Sequence, residues 1–273
     1  MRLSLIQLTV GSDFNDNFEK SKDLIQDALS YNPELILFPE CFLYLSNSKK
    51  YSIDQNHESI IYFQNFAKKN NVNILLGSLP ISDNKSVYNR SLVVDSNGSI
   101  ISKYDKIHMF DVILRNNEIY KESDTFKSGN KLETFDINGW KFGHSICYDL
   151  RFPKLYRYLA KLGSKAIVIP SAFTYTTGKA HWHTLVRARA IENGVFILAP
   201  NQWGVNNDRR STFGHSLVVD PWGEIIAEAE NKEIIMNCEI DLDKVEEYQK
   251  SIPVLNHDID FKYNLEKFET TTK

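Results

Sequence analysis

Short apolar runs alternate along the chain with longer stretches in which apolar residues recur every three or four positions, the pattern of strands interleaved with amphipathic helices. LSLIQLTV (3–10) reads as a strand. NFEKSKDLIQDALS (17–30) reads as a helix with Leu24, Ile25, Ala28 and Leu29 on one face. ELILFPE (34–40) is apolar at nearly every position, which predicts a strand buried on both faces. A helix at 58–69 and strands at 72–79, 87–95 and 99–104 complete the first half. The second half reads as strands at 132–137 and 140–147, a helix at 153–162, a strand at 165–172, a helix at 181–193 and a strand at 194–202. Strands near 214–220 and 224–229 follow, and no Pro/Gly/Ser linker or low-complexity segment interrupts the series.

The pattern repeats. SLVVDSNGSIISKY (91–104) and SLVVDPWGEIIAEA (216–229) match in two strands and the turn between them. ELILFPE corresponds to KAIVIPS (165–171), and each is followed by a helix and a further apolar strand, VNILLGSLP and GVFILAPNQ. Hairpins with Asn-Gly or Trp-Gly turns resemble one another by chance, but four elements in the same order do not. A sheet-and-helix unit built twice buries both sheet faces by stacking sheet on sheet, with helices outside. The expected fold class is therefore α/β, an αββα sandwich of four layers with two stacked mixed sheets and an internal pseudo-two-fold repeat. One domain over 1–273 is expected, with 241–273 as a C-terminal extension.

Composition narrows the class. The 42% apolar and 25% charged fractions are those of a soluble globular protein. A net charge of −3 offers no basic stripe for nucleic acid, and no run reaches the roughly 18 apolar residues of a membrane helix. The N-terminus starts a strand at once and lacks a cleavage site, so a signal peptide is not expected. Cys41, Cys147 and Cys238 are odd in number and widely spaced, which suggests neither a disulfide framework nor a cysteine zinc site. The expectation is a reduced, cytoplasmic protein with no nucleic-acid or membrane partner.

Chemistry in alternating α/β chains concentrates just past the carboxyl ends of strands. Three reactive residues sit there: Glu40 ends LILFPE, Lys106 follows SIISKY, and Cys147 ends WKFGHSIC. Individually each has an ordinary reading. A free cysteine is most often a small core residue, Lys106 reads as a solvated surface lysine, and Glu40 suits an ion pair as well as catalysis. Together they supply a nucleophile, a proton shuttle and a fixed cation, the parts required to attack an unactivated carbonyl.

The segments LILFPE, KYDKIHMFD and GHSICYDLRFP, in that order, resemble the three signatures of the nitrilase superfamily of carbon–nitrogen hydrolases. Further similar stretches lie at 170–204 and 209–223, so the likeness runs over roughly 1–255. The resemblance implies an αββα sandwich, a Glu–Lys–Cys triad, no metal or organic cofactor, and assembly as a homodimer or larger homo-oligomer. Carried over by position, it implies Cys147 as nucleophile, Glu40 as general base, Lys106 as oxyanion partner together with the Tyr148 main-chain N–H, and Glu122 in YKESDTFKSG as the accessory glutamate. Two departures stand out. Ser128-Gly129 replaces a family Pro-Gly, and His144 occupies a strand position that is usually apolar. Along a strand His144 alternates away from Cys147.

The closest resemblance is to the deaminated glutathione amidase branch, with the neighbouring omega-amidases, which act on 2-oxoglutaramate and 2-oxosuccinamate, as the alternative. N-carbamoyl amino acid or nitrile hydrolysis and a non-catalytic binding role are weaker alternatives. The implied substrate is a small anionic amide. Arg151 and Arg210, and also Arg209, are candidates to hold its carboxylate, because a guanidinium binds carboxylate bidentately. Tyr148, Phe173 and Trp182 are candidate pocket walls or core residues. A cysteine–histidine dyad would need His108 or His215, for which packing or hydrogen bonding is the expected role. The HWH run at 181–183 is a poor metal pair, because helix positions two apart face different ways. No Walker loop or G-x-G-x-x-G is present.

Overall fold

A strand that is apolar on both faces needs cover on both sides, and the fold supplies it. The computed structural model describes residues 1–45, 51–115, 117–207 and 210–262. The chain runs through β1 (Arg2–Gln7), α1 (Phe14–Ala28), β2 (Leu35–Leu37), α2 (Glu58–Asn70), β3 (Asn73–Asp83), β4 (Ser86–Val94) and β5 (Ile100–Asp105). A short hairpin, β6 (Asp111–Ile113) and β7 (Ile119–Lys121), leads to β8 (Thr134–Ile137) and β9 (Trp140–His144). Then come α3 (Pro153–Lys161), β10 (Ala166–Val168), α4 (Tyr175–Asn193), β11 (Phe196–Ala199), the hairpin β12 (Trp203–Asn207) and β13 (Arg210–Phe213), β14 (Leu217–Val219), β15 (Ile225–Glu228), β16 (Ile234–Glu239) and α5 (Lys244–Ser251).

Two six-stranded sheets form, in the orders β16-β1-β2-β3-β4-β5 and β15-β14-β11-β10-β9-β8. From β16 across the first sheet, successive pairs are antiparallel, parallel, parallel, antiparallel and antiparallel. From β8 across the second, the same series recurs. Even the register shift falls at equivalent valines, Val93/Val94 and Val218/Val219. The sequence repeat is thus a repeat of topology, and the layers are those of an αββα sandwich.

Period-2 alternation sorts each strand's side chains between two cores. Leu35, Leu37, Leu75, Val93, Ala166, Val168, Phe196 and Leu198 meet between the sheets. Ile36, Ile74 and Leu76 face the helices of the first half, and Ile167, Ile197 and Ala199 face α3 and α4. Among the described residues, no helix is long and apolar enough to cross a membrane.

Several boundaries differ from the sequence reading. Helix α1 begins at Phe14 because Asp13 accepts a hydrogen bond from the Asp16 main chain and caps it. Helix α4 begins at Tyr175, six residues before the predicted start, with Thr174 as its cap. Strand β2 ends at Leu37, so Glu40 lies three residues beyond it. Strand β9 ends at His144, and Cys147 opens a 3-10 turn, Cys147–Arg151. The hairpins β6–β7 and β12–β13 and the strand β16 were not anticipated. Arg209 lies outside the described residues, as does the C-terminal stretch beyond 262.

Two glycines set the loops that carry the site. A Cβ on Gly77 would lie 1.9 Å from the Pro39 carbonyl, so β3 passes the Glu40 loop at a distance that excludes a side chain. At Gly129 a Cβ would lie 2.2 Å from the Asp105 carbonyl. The Gly129 N–H donates to the Lys106 carbonyl at 2.8 Å, so Ser128-Gly129 closes tightly on the lysine loop without a proline.

His144 is fully buried, and neither ring nitrogen has a hydrogen-bond partner among the described residues. Its ring lies 4.7 Å from Phe135 and 5.8 Å from Tyr104. Burial pushes its pKa down to about 3, so it behaves as a neutral aromatic filler. The unfolded chain binds a proton near pH 6.5 that the folded chain refuses. The stability contribution is therefore full above about pH 6.5 and is lost progressively as pH falls toward 3, at about 1.4 kcal/mol per unit. In urea unfolding, the wild type is expected to lose about 2 kcal/mol between pH 6.5 and 5 that His144→Leu retains. An identical pH dependence in the two proteins would disprove the assignment.

Candidate active site

The strand ends of both halves open into one cavity of about 270 Å³, whose wall includes Glu40, Lys106, Glu122, Cys147, Tyr148, Phe173 and Arg210. Three of the four residues marked for catalysis are buried, and Glu122 is largely so. The Lys106 ammonium lies 2.8 Å from Glu40 Oε1 and 2.8 and 2.9 Å from the two Glu122 oxygens. One cation therefore joins two carboxylates that would otherwise repel each other.

Main-chain and amide donors complete the carboxylates' shells. Glu40 Oε2 accepts from the Ala172 N–H at 2.9 Å, and Glu122 Oε2 accepts from the Phe110 N–H at 2.7 Å. Asn89 Nδ2 donates to Oε1 of both glutamates, at 2.9 and 3.0 Å. Asn89 ends up there because its carbonyl accepts the Lys106 N–H at 3.0 Å, continuing the β4–β5 pairing by one step. Sequence reading missed Asn89. The one available signal was an amide and an arginine, Asn89-Arg90, leading into an otherwise apolar strand.

Cys147 occupies the left-handed region at φ 47°, a conformation costly for a non-glycine residue and common at functional turns. Its N–H is held by the Pro170 carbonyl at 3.0 Å. Asp149, wholly buried, ties this turn to the lysine loop. It accepts from the Ile146 N–H (2.9 Å), the Tyr104 hydroxyl (2.7 Å), the His108 N–H (3.0 Å) and His108 Nδ1 (2.7 Å). His108 thus has the hydrogen-bonding role expected of it.

A lysine beside a thiol ordinarily lowers its pKa by favouring the charged form. Lys106 does act in that direction, but burial and the Glu40 charge outweigh it and hold the thiol well above its usual range. Burial works against the Glu40 charge as well, yet Lys106, and to a lesser degree the neighbouring Cys147 thiol, keep Glu40 below the ordinary carboxylate range. Lys106 stays protonated, its desolvation overcome by the two glutamates. The resting set is carboxylate, ammonium and neutral thiol.

The other marked residues divide. Tyr148, Phe173 and Arg210 line the cavity. The Arg210 guanidinium sits over Tyr120 at 5.6 Å and donates to the Ala172 carbonyl at 3.0 Å, while its buried Nε has no hydrogen-bond partner among the described residues. Arg151 does not belong to the wall. It stacks behind Tyr148 and Phe173, at 5.9 and 5.6 Å, and meets His181 at 3.2 Å. Trp182 is core, packed on Phe173. Tyr44, Tyr51 and Tyr120, unmarked by sequence, add aromatic wall.

The resting protonation state has a direct optical readout. Thiolate absorbance, taken as wild type minus Cys147→Ala, is expected to show no step below about pH 9, above the ordinary thiol value of about 8.5. A step near pH 6–7 would show a preformed thiolate and contradict the geometry.

Comparison with known proteins places this geometry. Residues 2–250 match the model of the carbon–nitrogen hydrolase family. The chain is 38% identical to a deaminated glutathione amidase of Dictyostelium discoideum over 94% of its own length and 93% of the relative's. It is 36% identical to an omega-amidase of Mus musculus, with 93% of each chain covered. Among solved structures, the NitFhit protein of C. elegans superposes with a TM-score of 0.88 at 35% identity, over 94% of this chain and 64% of that longer one.

Proposed function

The chain belongs to the carbon–nitrogen hydrolase family, and from that premise we propose that it hydrolyses a small linear amide bearing a carboxylate, as a deaminated glutathione amidase. The observation that carries the reading is the arrangement of Glu40, paired with the Lys106 ammonium at 2.8 Å, beside Cys147 in a cavity that Arg210 also lines.

In this mechanism Glu40 removes the thiol proton as Cys147 Sγ attacks the amide carbon. The oxyanion that forms lies against the Lys106 ammonium and the Tyr148 N–H; removing one such donor typically costs about 10²–10³ in turnover. Glu40 then passes the proton to the amide nitrogen, the C–N bond breaks, and the amine leaves behind a thioester. Water, deprotonated by Glu40, attacks the thioester carbon. The C–S bond breaks, the proton returns to sulfur, and the acid departs. Glu122 and Asn89 act through Lys106 and Glu40 as positioning residues. Arg210 holds the substrate carboxylate, with Tyr148 and Phe173 as wall. No cofactor takes part.

The second reading, an omega-amidase acting on 2-oxoglutaramate, has support in relatives of nearly the same identity. We further propose a cytoplasmic homo-oligomer. The solvent-exposed Ile191, Trp222, Ile225 and Ile226 favour association, which sedimentation measures.

A coupled product assay over deaminated glutathione, 2-oxoglutaramate, an N-carbamoyl amino acid and a simple nitrile tests the substrate class. Preference for the first is expected, preference for the second selects the alternative, and preference for either of the last two overturns both. Cys147→Ala is expected to abolish turnover and the thioester adduct seen by intact mass. Arg210→Gln is expected to raise KM for the anionic amide about 10–100-fold, the worth of one charge-assisted hydrogen bond. An unchanged KM removes Arg210 from the substrate site.

A further inference from the structure

Away from the catalytic cavity, three metal-capable side chains converge from separate elements. His183 projects from α4, His215 sits between β13 and β14, and Glu228 ends β15. Glu228 Oε1 is 3.0 Å from His183 Nε2 and 2.6 Å from His215 Nδ1. One donor atom from each residue lies within 4.8 Å of the others. None of the three lines the cavity.

The fold fixes their positions. His215 adopts the left-handed conformation at φ 54°, which a non-glycine residue holds only where its surroundings require it. Its carbonyl accepts the indole N–H of fully buried Trp182 at 2.7 Å, and its ring stacks on Phe213 at 4.4 Å. Trp182 is the residue before His183, so α4 both pins the first imidazole's backbone and supplies the second imidazole. Glu228 is opposite Leu217 in the β14–β15 ladder, two residues from His215. The HWH run therefore splits. His181 turns to Arg151, and only His183 finds this cluster.

We propose that His183, His215 and Glu228 form a site for a divalent transition metal of the zinc class. Two imidazoles and one carboxylate are the donors that borderline d-block ions prefer, whereas magnesium and calcium favour all-oxygen shells. Three protein ligands leave a fourth tetrahedral position for water. Bonds of about 2.0–2.1 Å call for donors somewhat closer than the widest pair here. His183, His215 and Glu228 are each part-exposed and have side-chain torsions free to close that gap. On binding, His183 Nε2 and His215 Nδ1 present lone pairs. The proton each donates to Glu228 in the neutral ring moves to that ring's other nitrogen, and a ring that was cationic releases one proton to solvent. The ion ties α4 to the edge strand of the second sheet.

Cobalt(II) titration of the untagged full-length protein tests the site through its visible spectrum. One equivalent is expected to bind with visible bands, without near-ultraviolet thiolate charge transfer, and to be displaced by zinc. His183→Ala and Glu228→Gln are each expected to weaken binding about tenfold or more and to abolish the zinc-induced rise in Tm, while His181→Ala changes neither. Absence of saturable binding, a thiolate spectrum, or wild-type affinity in both His183→Ala and Glu228→Gln would overturn the proposal.

Discussion

The buried ammonium of Lys106 between Glu40 and Glu122 is the interaction on which the rest of the structure depends. Three charges out of water are expensive, and their attraction offsets the cost only if every remaining lone pair finds a donor. Here the donors are Asn89 and the main-chain N–H groups of Ala172 and Phe110. They come from β4, from the segment after β10 and from the loop before β6. The two sheets and that hairpin must therefore be in register before the charges can be buried. Loss of one member leaves an unpaired buried charge, typically worth 3–5 kcal/mol. Stability and the shape of the candidate site accordingly rest on the same contacts.

The internal repeat explains how such a site arises. Pro39-Glu40 after β2 corresponds to Pro170-Ser171 after β10, and the two strand ends meet: the Ala172 N–H donates to Glu40, and the Pro170 carbonyl accepts the Cys147 N–H. Gln202, past β11, donates to the Glu40 carbonyl at 2.6 Å. Face-to-face stacking of two equivalent sheets brings equivalent strand ends together, and the candidate active-site cavity occupies that junction.

Much of this was legible in residue order. Apolar runs such as ELILFPE announced doubly covered strands, the repeated SLVVD segments announced the second sheet, and the motifs around Glu40, Lys106 and Cys147 announced three residues that the fold brings to one cavity. Hidden features share physical causes. Strands β6 and β7 alternate exposed with half-buried residues, so they lack an apolar signature. Polar TTG at 176–178 disguises the first turns of α4, which tertiary contact stabilises: a Cβ on Gly178 would meet Phe213 at 2.3 Å. Asn89 and Asp149 matter through partners distant in sequence, and no local pattern encodes those partners. The direction of the thiol shift also escaped, because proximity to lysine is visible in a motif whereas desolvation is not.

Charge balance finally constrains what the cavity admits. Glu40 and Glu122 bring two negative charges and Lys106 one positive, while the thiol is neutral at rest. Lys121 and Asp124, also on the wall, offset each other at 3.5 Å. Without Arg210 the pocket would carry a net negative charge in a low-dielectric setting, where repulsion of a carboxylate is strong. Arg210 brings the sum to neutrality, and its buried Nε still has bonding capacity to spare. In the proposed reading a substrate carboxylate pairs with the Arg210 guanidinium rather than meeting Glu40. In that reading the amide is then free to approach Cys147.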